Sequence, residues 1–220
     1  MVAITHSFPQ PERLPKTDDR GSAIARLKNL HAEAEETARL ANLLGRSLHA
    51  GIALPVLGIV AVGLSDVPNP AAQLIWCGFV AAVSLAMLVA YRHAMKKPFD
   101  SASLKDFAKD LSAILLFAGF AWGAGAFLAL PVGTSGMAAV LFAAAPAIII
   151  AYLLRDREAL YLFLAPVGVL TAVASLLKPF ADGVLAAGLI IFVCATIAGV
   201  SMLHERMSGA SGKPAMLSLP

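Results

Sequence analysis

The sequence predicts an all-α fold, a polytopic membrane bundle of six transmembrane helices with both termini cytoplasmic, preceded by an N-terminal cytoplasmic amphipathic helix. Three observations predict it. Of 220 residues, 59% are hydrophobic and 14% charged, whereas soluble domains run at about 45–50% and about 25%. Six runs, at 48–65, 71–91, 111–130, 136–154, 160–177 and 184–203, contain no Lys, Arg, Asp or Glu. The cations, finally, almost avoid every second connection between these runs.

Composition also narrows function. A mean hydropathy of +0.77 argues against a soluble enzyme and a disordered chain. A net charge of +3 with no basic soluble face argues against nucleic acid as a partner. Cys77 and Cys194 both lie in apolar runs, a spacing that is neither a disulfide framework nor a metal motif, and they read as small packing residues.

Residues 1–21 contain Pro9, Pro11, Pro15, Asp18 and Asp19 and no apolar stretch, so they read as a disordered cytoplasmic tail rather than a signal peptide. The segment 22–47 is predicted to be a helix with Ser22 as N-cap. Ala23, Leu27, Leu30, Ala34, Thr37, Ala41, Leu44 and Leu48 recur at alternating spacings of four and three, a heptad seam that runs into the first span. Arg26, Lys28, Glu33, Glu35, Glu36 and Arg39 occupy the other faces. Leu27, Leu30, Ala34 and Leu44 are therefore the candidate coupling residues, for a homodimer or a cytoplasmic signalling protein. The alternative is an amphipathic helix on a membrane surface, against which the acidic Glu33, Glu35 and Glu36 weigh.

A helix needs about 20 apolar residues to cross a hydrocarbon core of about 30 Å, and in lipid its backbone must pair within the segment. The six runs meet this length or come close to it, making 48–203 the membrane domain. Asp66-Val67-Pro68-Asn69-Pro70, Pro131 to Gly136, Arg155-Asp156-Arg157-Glu158 and Lys178 to Gly183 are short joints, so consecutive helices are expected to pack antiparallel. Ser103 with Asp106 resembles a capping box leading into span three. Residues 204–220 read as a short cytoplasmic tail, flexible from Ser208 to Gly212.

Sixteen of the seventeen Lys and Arg fall before span one or after spans two, four and six, and only Lys178 falls on the other side. The positive-inside rule then places both termini of this multi-pass chain in the cytoplasm; the expected location is a bacterial inner membrane, in keeping with the resemblance given below.

No ionisable acid, Lys or Arg lies within a span, and no Ser/His, paired-Asp or His-rich constellation appears, so no catalytic residue, metal ligand or cofactor is assigned. The candidate helix-packing or ligand pocket comprises Gly119, Trp122, Gly123, Trp76, Pro146 and Pro166. Gly119 and Gly123 make a small-xxx-small face. Trp122 lies in mid-span, where its indole N–H needs a partner, and a carbonyl freed by Pro146 or Pro166 would serve, as would a ligand. His49, Arg92 and His204 are cytoplasmic-interface candidates at the ends of spans one, two and six.

Trp76, Tyr91-Arg92, Phe99, Gly119-Phe120-Ala121-Trp122-Gly123 and Leu203-His204-Glu205-Arg206 together resemble the six-helix membrane input domains that precede diguanylate cyclase or histidine kinase domains in proteobacteria. The resemblance spans residues 45–207. The chain carries no Gly-Gly-Asp-Glu-Phe segment and no kinase core. The resemblance thus implies a non-enzymatic sensory or regulatory module that acts through a partner. A small-solute transporter or channel, and a subunit of a membrane complex, are the alternatives.

Overall fold

The computed structural model describes residues 17–63, 70–97, 100–131, 135–177 and 182–211, with side chains described between 22 and 203 of these. The described residues form six helices: α1 (Thr17–Gly63), α2 (Pro70–Ala94), α3 (Ser101–Leu128), α4 (Gly136–Leu154), α5 (Arg157–Leu177) and α6 (Gly183–Ser211). All six are long and apolar enough to cross a membrane, as the six charge-free runs predict. The chain divides into two units between Arg39 and Leu40.

In the first unit the described backbone is helical from Thr17. Ile24, Leu27 and Leu30 are all more than half exposed. Glu35 pairs with His31 at 3.1 Å, one turn apart, and Thr37 donates to the Glu33 carbonyl. Ser22 lies inside α1 rather than capping it, and Thr17 to Gly21 are helical where a tail was expected. The helix starts earlier because nothing between Thr17 and Ser22 breaks it: the last proline of the N-terminal region is Pro15. The rest of the expected tail, 1–16, lies outside the described residues.

The second unit holds the bundle. Leu40, Leu43, Leu44, Ser47, Ala50 and Leu54 are buried in it. Leu44, counted in the coupling seam, is thus buried in the bundle, and the two compact units meet at 39/40. Gly51 faces Met87 and Leu88 of α2, and Gly58 faces Val80, so α1 and α2 run antiparallel. Helix α3 packs on α2 and most extensively on α5, while α5 also packs on α4 and α6, and α4 on α6. Contacts climb together from Gly119–Phe163 to Gly123–Leu170, so α3 and α5 are parallel. Among α2 to α6 the non-consecutive pair α3/α5 makes the broadest contact, and α3/α4, though joined by a short turn, makes a slight one.

The bundle exposes many large apolar side chains. Leu74, Leu177 and Val184 are each more than 70% exposed, which is costly in water and natural against lipid. Internal contacts rely on small residues such as Ala139, Ala147, Ala174 and Ala186, all fully buried, the means by which helices approach where hydrocarbon supplies no drive to associate.

Two terminal expectations change. Helix α3 is capped by Asp100, whose carboxylate accepts the Ser103 N–H at 2.8 Å. The Ser103/Asp106 capping box is therefore displaced, because the better acceptor stands three residues upstream and starts the helix at Ser101. Helix α6 runs to Ser211, through the segment expected to be flexible, and 212–220 lie outside the described residues.

Candidate functional site

Helices α2, α3 and α4 converge on three aromatic rings. Trp76 sits edge-on to Trp122 with centroids 5.4 Å apart, Trp122 stacks on Phe142 at 5.4 Å, and Trp76 meets Phe142 at 5.6 Å. Such offsets are the arrangements that ring quadrupoles prefer. Trp76 is fully buried and Trp122 nearly so.

Each indole spends its N–H on a neighbouring helix. Trp76 Nε1 donates to the Ala121 carbonyl of α3 at 2.9 Å. Trp122 Nε1 donates to the Phe142 carbonyl of α4 at 2.9 Å. Phe142 is the residue four before Pro146, and a proline in a helix leaves that carbonyl without its backbone donor. Trp122 therefore takes up the carbonyl that Pro146 releases, one of the three partners expected for it from the sequence.

Gly125 makes room for this arrangement. A Cβ there would lie 2.5 Å from Trp76 Nε1 and 2.7 Å from Phe142 Cζ. The opposite side of α3 carries Gly119 and Gly123. A Cβ on Gly119 would run into the Phe163 carbonyl and lie 2.5 Å from Pro166 Cγ, and one on Gly123 would lie 2.9 Å from the Pro166 carbonyl. The small-xxx-small face is thus the α3/α5 seam, seated around the Pro166 kink.

Of the sequence-predicted pocket residues, Trp76, Trp122 and Pro146 meet in the aromatic cluster, and Gly119, Gly123 and Pro166 meet in the α3/α5 seam. Two residues of the cluster escaped the sequence reading. Phe142 was signalled by its place four before Pro146, and Gly125 by its place in the Gly119–Gly125 string. The rings pack on one another and the indole donors are used internally, so the cluster joins three helices.

The other candidates lie apart from it. His49 and Arg92 are exposed, Arg92 in the last turn of α2. The His204 side chain lies outside the described ones, as does Phe99. Leu27, Leu30 and Ala34 are exposed in the first unit. Ser47, Ser84 and Ser175 donate to carbonyls of their own helices. Among the described residues, the buried hydroxyls of Tyr161 and Thr171 find no partner, and no three His, Cys, Asp or Glu side chains gather. At the α4–α5 joint, Arg155 adopts a left-handed conformation (φ 49°) and the buried Asp156 accepts the Ala159 N–H at 3.0 Å.

Searches of family models, of curated proteins and of solved structures find no match to this chain.

Proposed function

We propose that this chain is a non-enzymatic sensory or regulatory module of the bacterial inner membrane, both termini cytoplasmic, which signals through a protein partner held by the first unit. One observation carries the reading. Ile24, Leu27 and Leu30 stand 55%, 66% and 62% exposed in a stretch whose other faces bear Arg26, Lys28, Glu33, Glu35 and Glu36. That stretch is too charged for hydrocarbon and too apolar on one face to stand in water unpartnered, which is the signature of helix-in-groove or helix-on-helix recognition. The resemblance to membrane input domains, which work through another domain, supports the same reading. The buried rings of Trp76, Trp122 and Phe142 use both indole donors on neighbouring helices, which supports a packing role for this cluster over a polar solute site.

A photo-crosslinking residue introduced at Leu27 in the full chain, in native membranes, tests this. The expected result is a discrete crosslinked species, either a second copy or another protein, that disappears in the Leu30→Glu background while membrane insertion is unchanged. A chain that crosslinks only to lipid overturns the reading. A product with another multi-pass membrane protein points instead to a subunit of a membrane complex.

A further inference from the structure

Between α4 and α6 the bundle opens into a groove of about 480 Å3. Ile148, Ile197 and Val200 form its apolar wall, Ser201 and Tyr152 line it nearer one end, and Arg155 stands at that end. The position of Arg155 is defined by the chain: it closes α4 as the residue after a charge-free run and is followed by Asp156-Arg157-Glu158, so it marks the boundary between hydrocarbon and water. Ile148 lies seven residues earlier, about 10 Å deeper along the helix. The Arg155 guanidinium rests over the Tyr152 ring, 5.7 Å from its centroid. Among the described residues no carboxylate pairs with it.

We propose that this groove binds one anionic phospholipid, its phosphate on Arg155 and an acyl chain along Ile148, Ile197 and Val200. Charge complementarity selects the occupant. An apolar wall does not discriminate among lipids, because acyl chains are as apolar as the side chains they would replace. A cation at headgroup level does discriminate, through charge-assisted hydrogen bonds to phosphate oxygens, and basic pockets between membrane helices are a recurrent form of lipid headgroup site. The stacked Tyr152 ring holds the guanidinium at the groove's mouth. The neighbouring Thr196 hydroxyl donates to the Phe192 carbonyl of its own helix, which leaves Arg155 as the residue that reads charge.

The full chain, purified in detergent, is exchanged into an equal mixture of phosphatidylglycerol and phosphatidylcholine and examined by native mass spectrometry. The expected result is one retained phosphatidylglycerol per chain, preferred about fivefold, as one headgroup-level cation gives. Arg155→Asn removes the charge and keeps a residue that tolerates the left-handed turn, and its preference falls to about unity. Arg155→Lys keeps part of it. Val200→Trp fills the groove and retains neither lipid. Glu205→Gln tests the acid that the sequence places four residues beyond Ser201, and the preference persists or rises. Millimolar inorganic phosphate leaves the bound lipid in place.

Equal retention of both lipids by the parent chain overturns the proposal, as does an Arg155→Asn chain that still prefers phosphatidylglycerol. Displacement by free phosphate overturns the acyl half of it. A parent dimer that Val200→Trp converts to monomer shows that a second copy fills the groove, which also overturns it.

Discussion

Trp122 donates its indole N–H to the Phe142 carbonyl at 2.9 Å, and Pro146 is the residue that left that carbonyl without a backbone donor. A kink in one helix and an aromatic side chain on another thus complete a single hydrogen-bonding requirement. In hydrocarbon neither has a ready substitute.

The pair should behave as coupled. Trp122→Phe keeps a ring but orphans the Phe142 carbonyl, and is expected to destabilise by about 1 kcal/mol beyond any packing loss. Pro146→Ala restores a backbone donor at 146. In that background the hydrogen-bond part of the Trp122→Phe loss should shrink toward zero. A double-mutant cycle on unfolding in mixed micelles reads the difference directly, and additive losses would show that the indole and the proline act independently.

Glycines offer a graded test of the joint. Gly125→Ala presses a methyl on the Trp76 indole and the Phe142 ring, and Gly119→Ala presses one on backbone of α5 that cannot step aside. Overpacking of this kind costs about 1–3 kcal/mol, with Gly119→Ala the worse because backbone yields less than a side chain. Gly188→Ala meets nothing within 4 Å and should be neutral or slightly stabilising through helix propensity. Melting temperatures of the three proteins in one detergent give the ranking.

Much of this was written in the sequence. The absence of Lys, Arg, Asp and Glu over six runs placed all six helices, because a bilayer leaves the backbone few other solutions. It set both ends of α2, α4 and α5 to within three residues, whereas α1 and α3 begin, and α6 ends, well outside their charge-free runs. The offset of four between Phe142 and Pro146 held the Trp122 partner in plain view. The α3/α5 seam was less legible. Gly119 and Gly123 announce a close contact but not with which helix, and short joints favour consecutive neighbours, whereas α3 packs most broadly on the parallel α5. The end of the coupling seam was hidden for a related reason. Leu27 and Leu44 share one periodicity, yet Leu27 is exposed and Leu44 is buried in the bundle, and a heptad alone does not say where burial begins.

The α3 cap should carry a pH signature. The Ser103 hydroxyl and backbone N–H hold the Asp100 carboxylate below its ordinary value of 3.8. The folded state therefore binds its proton less readily than the unfolded state, so the cap's contribution is complete above the ordinary carboxylate value. It is lost as pH falls through the lower, folded value. Hydrogen exchange in the first turn of α3 should be slow near neutral pH and accelerate at strongly acid pH, after correction for intrinsic rates. Asp100→Asn, still a competent cap, should remove the acid dependence while keeping the protection. Acid dependence that survives in Asp100→Asn would assign it to another group.

Orientation can be read from two positions. With Cys77→Ala and Cys194→Ala as background, Lys96→Cys places a thiol just beyond α2, on the side that receives sixteen of the seventeen Lys and Arg. Ser135→Cys places one before α4, in a joint that carries no cation. Both positions are exposed. The proposed orientation follows the positive-inside rule, under which the cation-rich connections face the cytoplasm. A membrane-impermeant maleimide should thus label Ser135→Cys in intact cells, and Lys96→Cys only after permeabilisation. The reverse pattern would place both termini outside and remove the basis for a cytoplasmic partner at Leu27 and Leu30. It would also move the Arg155 groove to the outer leaflet.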